Sequence, residues 1–435
     1  MTVSSPFSDF RYLSSNTIRP LTLLPAYSSK SALTVASISL SNNNNNINNN
    51  RSTVNSLPSP SSPSSILPTF STPPPQPPLH SSRSKDNNNN INKSCFDPSV
   101  LLQDRECDLE FYQKYFLNQH HYNYVAAQSA QGPIAVSVAI DQNGCVRVLI
   151  RTTQGSERSE HLLSTLSIPW YRKLIGINIS PLSILSQVCP SIPIQSLEPC
   201  HHRDLPRELE RMEERQVIRC YKFGVVMLLP GQTSEYQGLT NTRDSCTPAF
   251  MEFLDWLGEP VRLNGWKDYR AGLDVIGDTT GETSVYTKWN EYQIMYHCAP
   301  LIPSNPNDHH QVERRRFIGN DIVVIVFKEN DDDEQFDLSS IGSRQNHIIC
   351  IVRPIPQETP SHPKSYRVSV AVKDGIRNFS PLHFPTVLQR DDASRDLFLL
   401  KLICGERAAY RAKAFATQLS RTRESLLRDV IEAHQ

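Results

Sequence analysis

Paired cysteine motifs are missing from this sequence, and so is any excess of charge of one sign. The ten cysteines are scattered, without a CxxC pair or any of the paired spacings that tetrahedral zinc sites use. This pattern indicates a reduced, cytoplasmic chain without a metal site. Lys plus Arg (44) balance Asp plus Glu (44), so no net charge favours binding to nucleic acid or to an anionic membrane.

Long apolar runs and common catalytic motifs are also missing. The sequence contains no stretch of about 18 apolar residues, so no membrane-spanning anchor is expected. It contains no GxxxxGK[ST], GxGxxG, GxSxG or HExxH motif. Nucleotide binding by the chain itself, serine hydrolysis and zinc hydrolysis therefore have no support. Adjacent histidine pairs such as His309-His310 point to different sides of a helix or strand, which favours solvated loops over metal ligands.

The first 94 residues have few large apolar side chains and many Asn, Ser and Pro. Residues 42–50 are almost all Asn, and residues 58–78 contain nine of the 32 prolines. Such a composition does not offset the entropy of ordering, so it predicts a disordered tail over residues 1–94. Two alternatives stay open: the acid-poor N-terminus overlaps in composition with an organelle transit peptide, and residues 72–78 are able to present a polyproline surface to an SH3-like partner.

Residues 95–217 alternate between strand and helix patterns. The predicted elements are strands at 134–140 and 146–151 and helices at 180–188 and 205–216. Asn143-Gly144 lies between the two strands and is typical of a tight hairpin turn. Pro206 near the start of a helix costs no hydrogen bond there. The segment is therefore predicted to be a mixed α/β unit.

From residue 218 onward, continuous apolar runs alternate with helical patterns. Continuous runs are typical of strands that are buried on both faces of an α/β sheet. The predicted strands are 223–229, 292–297, 322–327, 348–352 and 366–372. The predicted helices are 247–257, 307–317 and one long helix from 394 to about 433. The fold class is therefore mixed α/β, with two halves, 95–217 and 218–435, after the tail.

One segment combines a charged helix end, a turn and a buried strand: NPNDHHQVERRRFIGNDIVVIVF, residues 305–327. Asn307 or Asp308 can cap the helix, which ends in Arg314–Arg316 and is broken by a glycine. Asn320 is thereby expected at a rigid helix-to-strand junction beside three guanidinium groups. Arginines in a last turn also complement the helix dipole, and Gly-Asn is an ordinary turn, so composition alone favours a purely structural role.

The order of residues in this segment and its flanks resembles the Rap GTPase-activating domain of Rap, tuberin-type and signal-induced proliferation-associated activators. The resemblance rests on GLDVIGDTTGETSVY, EYQIMYH and RRRFIGNDIVVIVF between residues 272 and 327, and it extends over residues 108–432. It is nearest to the signal-induced proliferation-associated (Spa-type) subgroup. It implies a two-part Rap-GAP fold, with an N-terminal half, 95–217, that can form a homodimer in relatives and a GTPase-like catalytic half, 218–435.

The resemblance also implies that the chain is an activator rather than an enzyme with its own substrate. Its partner would be a Rap-like small GTPase in the GTP form, and the family inserts an asparagine, matching Asn320, into the partner's nucleotide site. An amide can orient the attacking water and donate a hydrogen bond to the phosphate. GTP and Mg²⁺ would be bound by the GTPase, so no cofactor is expected here, and membranes would be reached only through the GTPase.

The same motif implies roles for the neighbours of Asn320. The residues expected to support the catalytic helix or contact the GTPase are Arg314, Arg315, Arg316, Phe317, Gly319 and Asp321, the last holding the loop rather than acting as a base. Family polar residues are replaced by Phe317 and Leu229, and a family acidic pair is replaced by Tyr236-Gln237. These departures leave an alternative: a non-catalytic, dimeric scaffold that binds the GTP-loaded GTPase without accelerating hydrolysis.

Overall fold

The structure of this chain is a computed structural model that describes residues 10–13, 106–167, 180–304, 308, 310–329, 335–355 and 365–434. All these residues belong to one compact unit with two β-sheets. The tail predicted for residues 1–94 lies outside the described residues, except for 10–13, and so does Asn307. No helix in the described ranges is long and apolar enough to cross a bilayer.

The elements alternate between strands and helices along the chain. The strands are β1 Phe10–Tyr12, β2 Tyr122–Ala126, β3 Ile134–Ile140, β4 Cys145–Thr152, β5 Gly155–Leu162, β6 Glu198–Cys200, β7 Cys220–Leu228, β8 Glu259–Arg262, β9 Thr283–Trp289, β10 Tyr292–Cys298, β11 Val323–Lys328, β12 Ile348–Pro354, β13 Ser365–Lys373 and β14 Val387–Gln389. The α-helices are α1 Glu106–Tyr115, α2 Pro181–Val188, α3 Leu205–Glu214, α4 Glu235–Thr240, α5 Pro248–Leu257, α6 Val312–Ile318, α7 Asp392–Tyr410 and α8 Lys413–Glu432. The predicted mixed α/β class is confirmed.

The smaller sheet has five antiparallel strands in the order β5-β4-β3-β2-β6. The β3–β4 hairpin turns at Gly144, whose φ of 73° is easily reached only without a Cβ. Helix α2 covers one face of the sheet with Ile184 and Leu185. Helices α1, α3 and α8 cover the other face, where Leu427 and Ile431 of α8 are fully buried.

The larger sheet has nine strands in the order β1-β13-β12-β11-β7-β10-β9-β8, with β14 paired to β13. Its centre, β12-β11-β7-β10, is parallel, and the flanking strands are antiparallel. Phe223 and Val225 of β7 pack in one core with α5 and α7, while Val226 and Leu228 pack in another with residues of α4 and α6. Burial on both faces explains the continuous apolar runs from which these strands were predicted.

The register of the parallel strands brings distant residues together at one end of these strands, before β11 and β12 begin. Val323 at the start of β11 pairs with Phe223 of β7 and with Ile348 at the start of β12. The residues that immediately precede these three positions therefore meet in space. They are Lys222, the Asn320-Asp321 turn and the segment that ends at His347.

The prediction of a disordered tail is wrong for residues 10–13. Phe10–Tyr12 forms strand β1, which pairs antiparallel with the end of β13, and the Leu13 amide donates to the Val370 carbonyl oxygen, 2.8 Å. The Arg11 guanidinium also donates to the Ile376 carbonyl oxygen, 2.7 Å. The physical reason is that the edge of β13 offers unpaired backbone groups to a short segment with aromatic, strand-favouring residues.

The prediction of a single long helix from residue 394 to about 433 is also wrong. Helix α7 ends at Tyr410, and α8 begins at Lys413 after Ala412, whose φ of −72° and ψ of 151° are extended. The break directs α8 onto the five-stranded sheet, although the predicted boundary had placed it with the C-terminal half. Alanine favours helices, so local propensity does not account for the break, whereas the burial of the apolar side of α8 favours it.

Candidate functional site

Asn320 lies on a tight turn between a helix and a buried strand, as predicted. Helix α6 ends at Ile318, and the amides of Gly319 and Asn320 still donate to the carbonyl oxygens of Arg315 and Phe317, 2.8 and 2.9 Å. Strand β11 begins three residues after Asn320. The turn therefore continues the helix for one step and then enters the sheet, which leaves the Asn320 side chain exposed.

The start of α6 differs from the prediction. The helix begins at Val312 rather than at residue 307, because Gln311 has a left-handed backbone with φ 49°. Asp308 nonetheless acts as a cap, since its carboxylate accepts the amide hydrogens of His310, 3.0 Å, and Val312, 2.6 Å. These backbone hydrogen bonds lower the pKa of Asp308. The short helix thus has a defined beginning and projects Asn320 from its end.

The contacts of Asn320 hold its backbone and leave one amide oxygen available. Its Nδ2 donates to the Arg316 carbonyl oxygen, 2.7 Å, and its own carbonyl oxygen accepts from Lys222 Nζ, 3.0 Å. No hydrogen bond reaches Oδ1 from any residue that the structure describes. An exposed amide of this kind can accept a hydrogen bond from a water or hydroxyl of a partner and can donate one through Nδ2.

The position of Gly319 has no room for a side chain. A Cβ at this position would lie 2.5 Å from the Arg315 carbonyl oxygen, closer than real Cβ contacts. The Gly319 carbonyl oxygen accepts a hydrogen bond from Ser343 Oγ. Glycine is therefore required at this position by close backbone packing.

Asp321 is fully buried and does not face solvent. Its carboxylate lies 2.8 Å from His297 Nδ1 and 3.4 Å from Lys222 Nζ. The other ring nitrogen of His297, Nε2, bonds the Ala271 carbonyl oxygen at 3.0 Å. This geometry is that of a residue that anchors the turn, and it leaves no path for Asp321 to act as a base on a partner.

Asn346 is a supporting residue that the sequence analysis missed. It is fully buried, and its Nδ2 donates to the carbonyl oxygens of Ile318, 2.8 Å, and Asp321, 2.6 Å. One side chain thus spans both sides of the Gly319-Asn320 turn. A signal was present in the sequence, because a polar residue directly before a buried parallel strand lies at the same sheet edge as the turn.

Comparison with known proteins identifies the family of this fold and motif. The Rap/ran-GAP family profile matches residues 238–424, which include α6, the Asn320 turn and three of the four central parallel strands of the large sheet, β10, β11 and β12. The chain contains a Rap-GAP domain over these residues. The resemblance seen in the sequence is thereby confirmed.

Three relatives show how far the similarity to other Rap-GAP proteins extends. A GTPase-activating protein of Dictyostelium discoideum is 32% identical over 76% of this chain and 31% of its own length. Mouse signal-induced proliferation-associated 1-like protein 1, of the Spa-type subgroup, is 33% identical over 74% of this chain and 18% of its own length. Human GTPase-activating Rap/Ran-GAP domain-like protein 3 is 32% identical over 76% of this chain and 32% of its own length. The chain spans about a third or less of these relatives.

A solved structure, titled as that of the TSC2 GAP domain, also matches this Rap-GAP chain. It is 25% identical, with a TM-score of 0.37, and the match covers 46% of this chain and 99% of that chain.

The arginines of the Rap-GAP motif divide into one buried residue and two at the surface. Arg314 is buried and donates to the carbonyl oxygens of Ile302, Leu239 and Asn241, at 2.9, 2.7 and 2.5 Å. Burial lowers its pKa to about 10. The prediction of three guanidinium groups beside Asn320 is therefore wrong for Arg314, which connects α6 to the end of α4 and cannot reach a partner.

Arg315 and Arg316 remain at the surface of the Rap-GAP domain. The Arg315 side chain is 39% exposed and lies 4.0 Å from the carboxylate of Glu235. The Arg316 side chain is 66% exposed, and its guanidinium lies 3.5 Å from the Glu313 carboxylate in the same helix. The Arg316 pair is exposed on both sides and contributes little to stability, so the Arg316 guanidinium is free to meet an acidic surface. The Glu235 carboxylate beside Arg315 is buried, so only the exposed part of the Arg315 side chain can do so.

The departures from the family pattern lie mostly inside the molecule. The Phe317 ring is buried, 5.1 Å from the His297 ring, and Leu229 packs against the core of the large sheet. Gln237 forms a capping box with Ser234 at the start of α4. Tyr236 alone is exposed as a large apolar group, so it is the departure that most directly alters the surface near Arg315.

The described part of the Rap-GAP chain offers no site for a metal ion. No group of three or more His, Cys, Asp or Glu side chains in those ranges has a metal-binding arrangement. His310, the described member of its adjacent pair, has its amide bonded to Asp308 in the segment before α6.

Proposed function

We propose that this chain is a GTPase-activating protein for a Rap-like small GTPase and that Asn320 supplies the catalytic amide in trans. The observation that carries the proposal is the exposed Asn320 amide on a turn whose backbone is held by Asn346, Lys222 and Ser343. The Rap-GAP domain and relatives named as GTPase-activating proteins support it.

The chemistry of GTP hydrolysis explains why an amide is useful here. Intrinsic hydrolysis is slow because the attacking water is poorly oriented and the developing phosphate charge is poorly stabilised. The Oδ1 of Asn320 would orient the water, and its Nδ2 would donate towards the phosphate. In this proposal the GTPase binds GTP and Mg²⁺, and the activator binds neither by itself.

The surface arginines would act before chemistry begins. Arg315 and Arg316 lie in the last turn of α6, just before Asn320, and would attract the acidic surface of the GTPase, which mainly raises the association rate. Neither is proposed as an arginine finger. A lipid-anchored GTPase would also bring the activator to membranes.

Single-turnover GTP hydrolysis tests the proposal. Rap-, Ral- and Rheb-like GTPases are loaded with GTP and mixed with the wild-type chain, Asn320→Ala, Asn320→Gln or the control Asn143→Ala. Asn143 is exposed in the hairpin of the five-stranded sheet. We expect at least one GTPase to be accelerated by about 100-fold or more, Asn320→Ala to abolish the effect, and Asn143→Ala to leave it intact.

The alternative is the non-catalytic scaffold. It predicts that the folded wild-type chain binds the GTP form of a GTPase while the hydrolysis rate stays at the intrinsic value. Burial of Phe317 argues against it, because the substitution of that family residue does not remove a polar group from the surface. Binding without acceleration would nevertheless refute the catalytic proposal.

A homodimer formed by the N-terminal half is a further part of the proposal. Strand β5 lies at the edge of the five-stranded sheet in the described residues, and half of its residues are exposed. Such an edge can pair with a second copy. Light scattering of the full chain is expected to give twice the monomer mass, and a monomer mass at high concentration would contradict the dimer.

A further inference from the structure

The outer edge of strand β13 is covered by two separate segments of the chain. Strand β14 pairs with its first three residues, Ser365 to Arg367. Strand β1 pairs with its last three residues, Ala371 to Lys373, and lies outside the residues that the Rap-GAP profile matches. Arg11 and the residue that it contacts, Ile376, are 365 positions apart in the chain. Strand β1 is therefore held at this edge by its own contacts and not by a short connection.

The side chains of β1 contact both faces of the large sheet, because successive residues of a strand point to opposite faces. Phe10 packs against the buried cluster on one face, which contains Ile318 of α6. Leu13 packs against the cluster on the other face. The Arg11 guanidinium donates to the carbonyl oxygen of Ile376, just beyond β13. Backbone pairing combined with alternating side-chain contacts is the way in which a sheet edge recognises an extended segment.

Lys373 connects this paired edge to the loop behind the Asn320 turn. It pairs with Phe10, and the Phe10 ring lies 5.5 Å from its ammonium group. The same ammonium group donates to two successive carbonyl oxygens in the loop before β12, that of Ser343 at 2.9 Å and that of the next residue at 3.1 Å. Ser343 Oγ donates to the carbonyl oxygen of Gly319. One lysine thus lies between β1 and the turn.

A second connection runs through the interior and the start of β12. The cluster against which Phe10 packs contains Ile318, the last residue of α6. The Lys373 amide also donates to the carbonyl oxygen of His347, 2.9 Å, which follows the buried Asn346. The two residues that precede Asn320 in the chain, Ile318 and its successor, are therefore both connected to the edge that β1 covers.

We infer that the N-terminal segment Phe10–Leu13 is a built-in regulatory element: docked on β13, it holds the Asn320 turn in its active arrangement, and its release lowers the rate of stimulated hydrolysis. The inference rests on the proposed function. The docking surface is the second half of the β13 edge with the apolar seat for Phe10, and its occupant is this segment of the same chain. Release of β1 would leave backbone groups of β13 unpaired and the Lys373 ammonium without the Phe10 ring.

The effect on catalysis follows from these connections. A misplacement of about 1 Å at a reacting group can lower a rate by about 100-fold. The contacts of β1 lead to the backbone of the turn and do not include Arg315 or Arg316, the side chains proposed to attract the GTPase. Release of β1 is therefore expected to lower the maximal rate and to leave the affinity for the GTPase nearly unchanged.

The test compares three variants of the full chain in single-turnover hydrolysis over a range of activator concentrations. They are the double variant Phe10→Ala/Arg11→Ala, the conservative double variant Phe10→Leu/Arg11→Lys, and the control Tyr12→Thr, at an exposed position of the same strand. We expect the alanine variant to lower the maximal rate by about 10-fold, with a half-saturating concentration within about 3-fold of wild type. The conservative variant should recover most of the rate, and the control should match wild type.

Two outcomes of this assay would overturn the inference. An unchanged maximal rate in the alanine variant would show that β1 does not act on the turn, and a rise in the half-saturating concentration alone would make β1 a contact for the GTPase. Failure of the wild-type chain to accelerate any GTPase would instead refute the proposed function, and the following measurement would then decide about β1.

Hydrogen exchange of the free chain reports on the connection between β1 and the turn without any GTPase. In the alanine variant we expect faster exchange at residues 370–373 and also at residues 319–321, with the five-stranded sheet unchanged, and normal exchange in the conservative variant. Faster exchange at 370–373 alone would refute the inference, because β1 would then stabilise only the edge of β13. Faster exchange throughout both sheets would refute it as well, because β1 would then stabilise the fold in general.

Discussion

Asn346 shows at the residue scale how a buried amide shapes a surface site. Its two amide hydrogens are donated to carbonyl oxygens three residues apart, those of Ile318 and Asp321. The exposed Asn320 lies between these two residues. A short side chain without this amide would leave the buried Asp321 carbonyl without a partner, which is the costly case for a hydrogen bond, whereas the Ile318 carbonyl would keep its bond from the Asp321 amide, 3.2 Å.

Asn346→Ala is therefore expected to lower the free energy of unfolding by about 1–3 kcal/mol. It should also reduce the stimulated hydrolysis rate, because the turn loses two of its constraints. Chemical denaturation and single-turnover hydrolysis measure the two effects. The matched control is Gln345→Ala, since Gln345 is the exposed neighbour; equal values for both variants would contradict the role of Asn346.

Glu406 is a single residue that is expected to make the stability of the chain depend on pH. It lies within α7, and its carboxyl accepts a hydrogen bond from the Tyr410 hydroxyl, 2.9 Å. Burial raises its pKa from 4.5 to about 8. Between these two values the folded chain binds a proton that the unfolded chain has released, so the free energy of unfolding decreases as the pH rises.

Glu406→Gln should weaken this decrease between about pH 5 and pH 8 and should make the chain more stable than wild type near pH 8 by at least about 1 kcal/mol. Denaturant unfolding at several pH values measures it, with the exposed Glu432→Gln as control. Some slope should persist, because burial also raises the pKa of Asp108, to about 6. Parallel curves for wild type and Glu406→Gln would contradict the assignment.

At the scale of elements, strand β1 connects the N-terminal residues to the loop that supports the Asn320 turn. Phe10 pairs with Lys373, and the Lys373 ammonium lies 5.5 Å from the Phe10 ring. Lys373 in turn donates to the carbonyl oxygens of Ser343, 2.9 Å, and Arg344, 3.1 Å. Ser343 is the residue that donates to Gly319, so β1 supports the loop behind the turn.

Deletion of residues 1–13 is expected to lower the free energy of unfolding by about 1–2 kcal/mol, because the backbone hydrogen bonds of β1 and the Arg11 contact are lost. Exchange of the amides at residues 370–373 should become faster. A deletion of equal length in the Asn-rich stretch, residues 42–54, provides the control. Identical stability and amide exchange in the two deletion variants would show that β1 does not stabilise strand β13.

Helix α8 joins the two sheets at the scale of the whole molecule. It follows α7 of the large sheet, and its Arg423 donates to the Thr152 carbonyl oxygen of β4, 2.7 Å. Ser420 donates to the Thr153 carbonyl oxygen, 3.1 Å, in the same region. The last helix of the chain therefore completes the core of the first sheet, and the two halves share one folding unit.

Leu427→Ala tests this coupling. Leu427 is fully buried between α8 and the five-stranded sheet, so its truncation should cost about 2–5 kcal/mol. Ser425→Ala, at an exposed position of the same helix, should cost little. Unfolding of both sheets is expected to shift together in thermal denaturation. A separate, earlier transition of the small sheet would show that the halves unfold independently.

The sequence by itself was sufficient for the features that depend on local order. The five strands predicted from continuous apolar runs are all present, because burial on both faces leaves a signal in consecutive residues. The position of Asn320 between a helix and a strand was also predicted, since Gly319 and the charged helix end are adjacent to it. The RRRFIGND segment, by which the sequence resembles the Rap-GAP family, contains the same two residues, Gly319 and Asn320.

Tertiary structure alone decided which groups surround Asn320. Lys222 is 98 residues away from Asn320 in the chain, and Asn346 is 28 residues from Ile318. Only the parallel register of β7, β11 and β12 brings them together. Arg314 has the same charge and nearly the same position as Arg315 and Arg316, yet the packing of α6 against α4 buries it. The direction of a side chain and the partners of a backbone carbonyl depend on distant contacts, and local sequence patterns carry no record of those contacts.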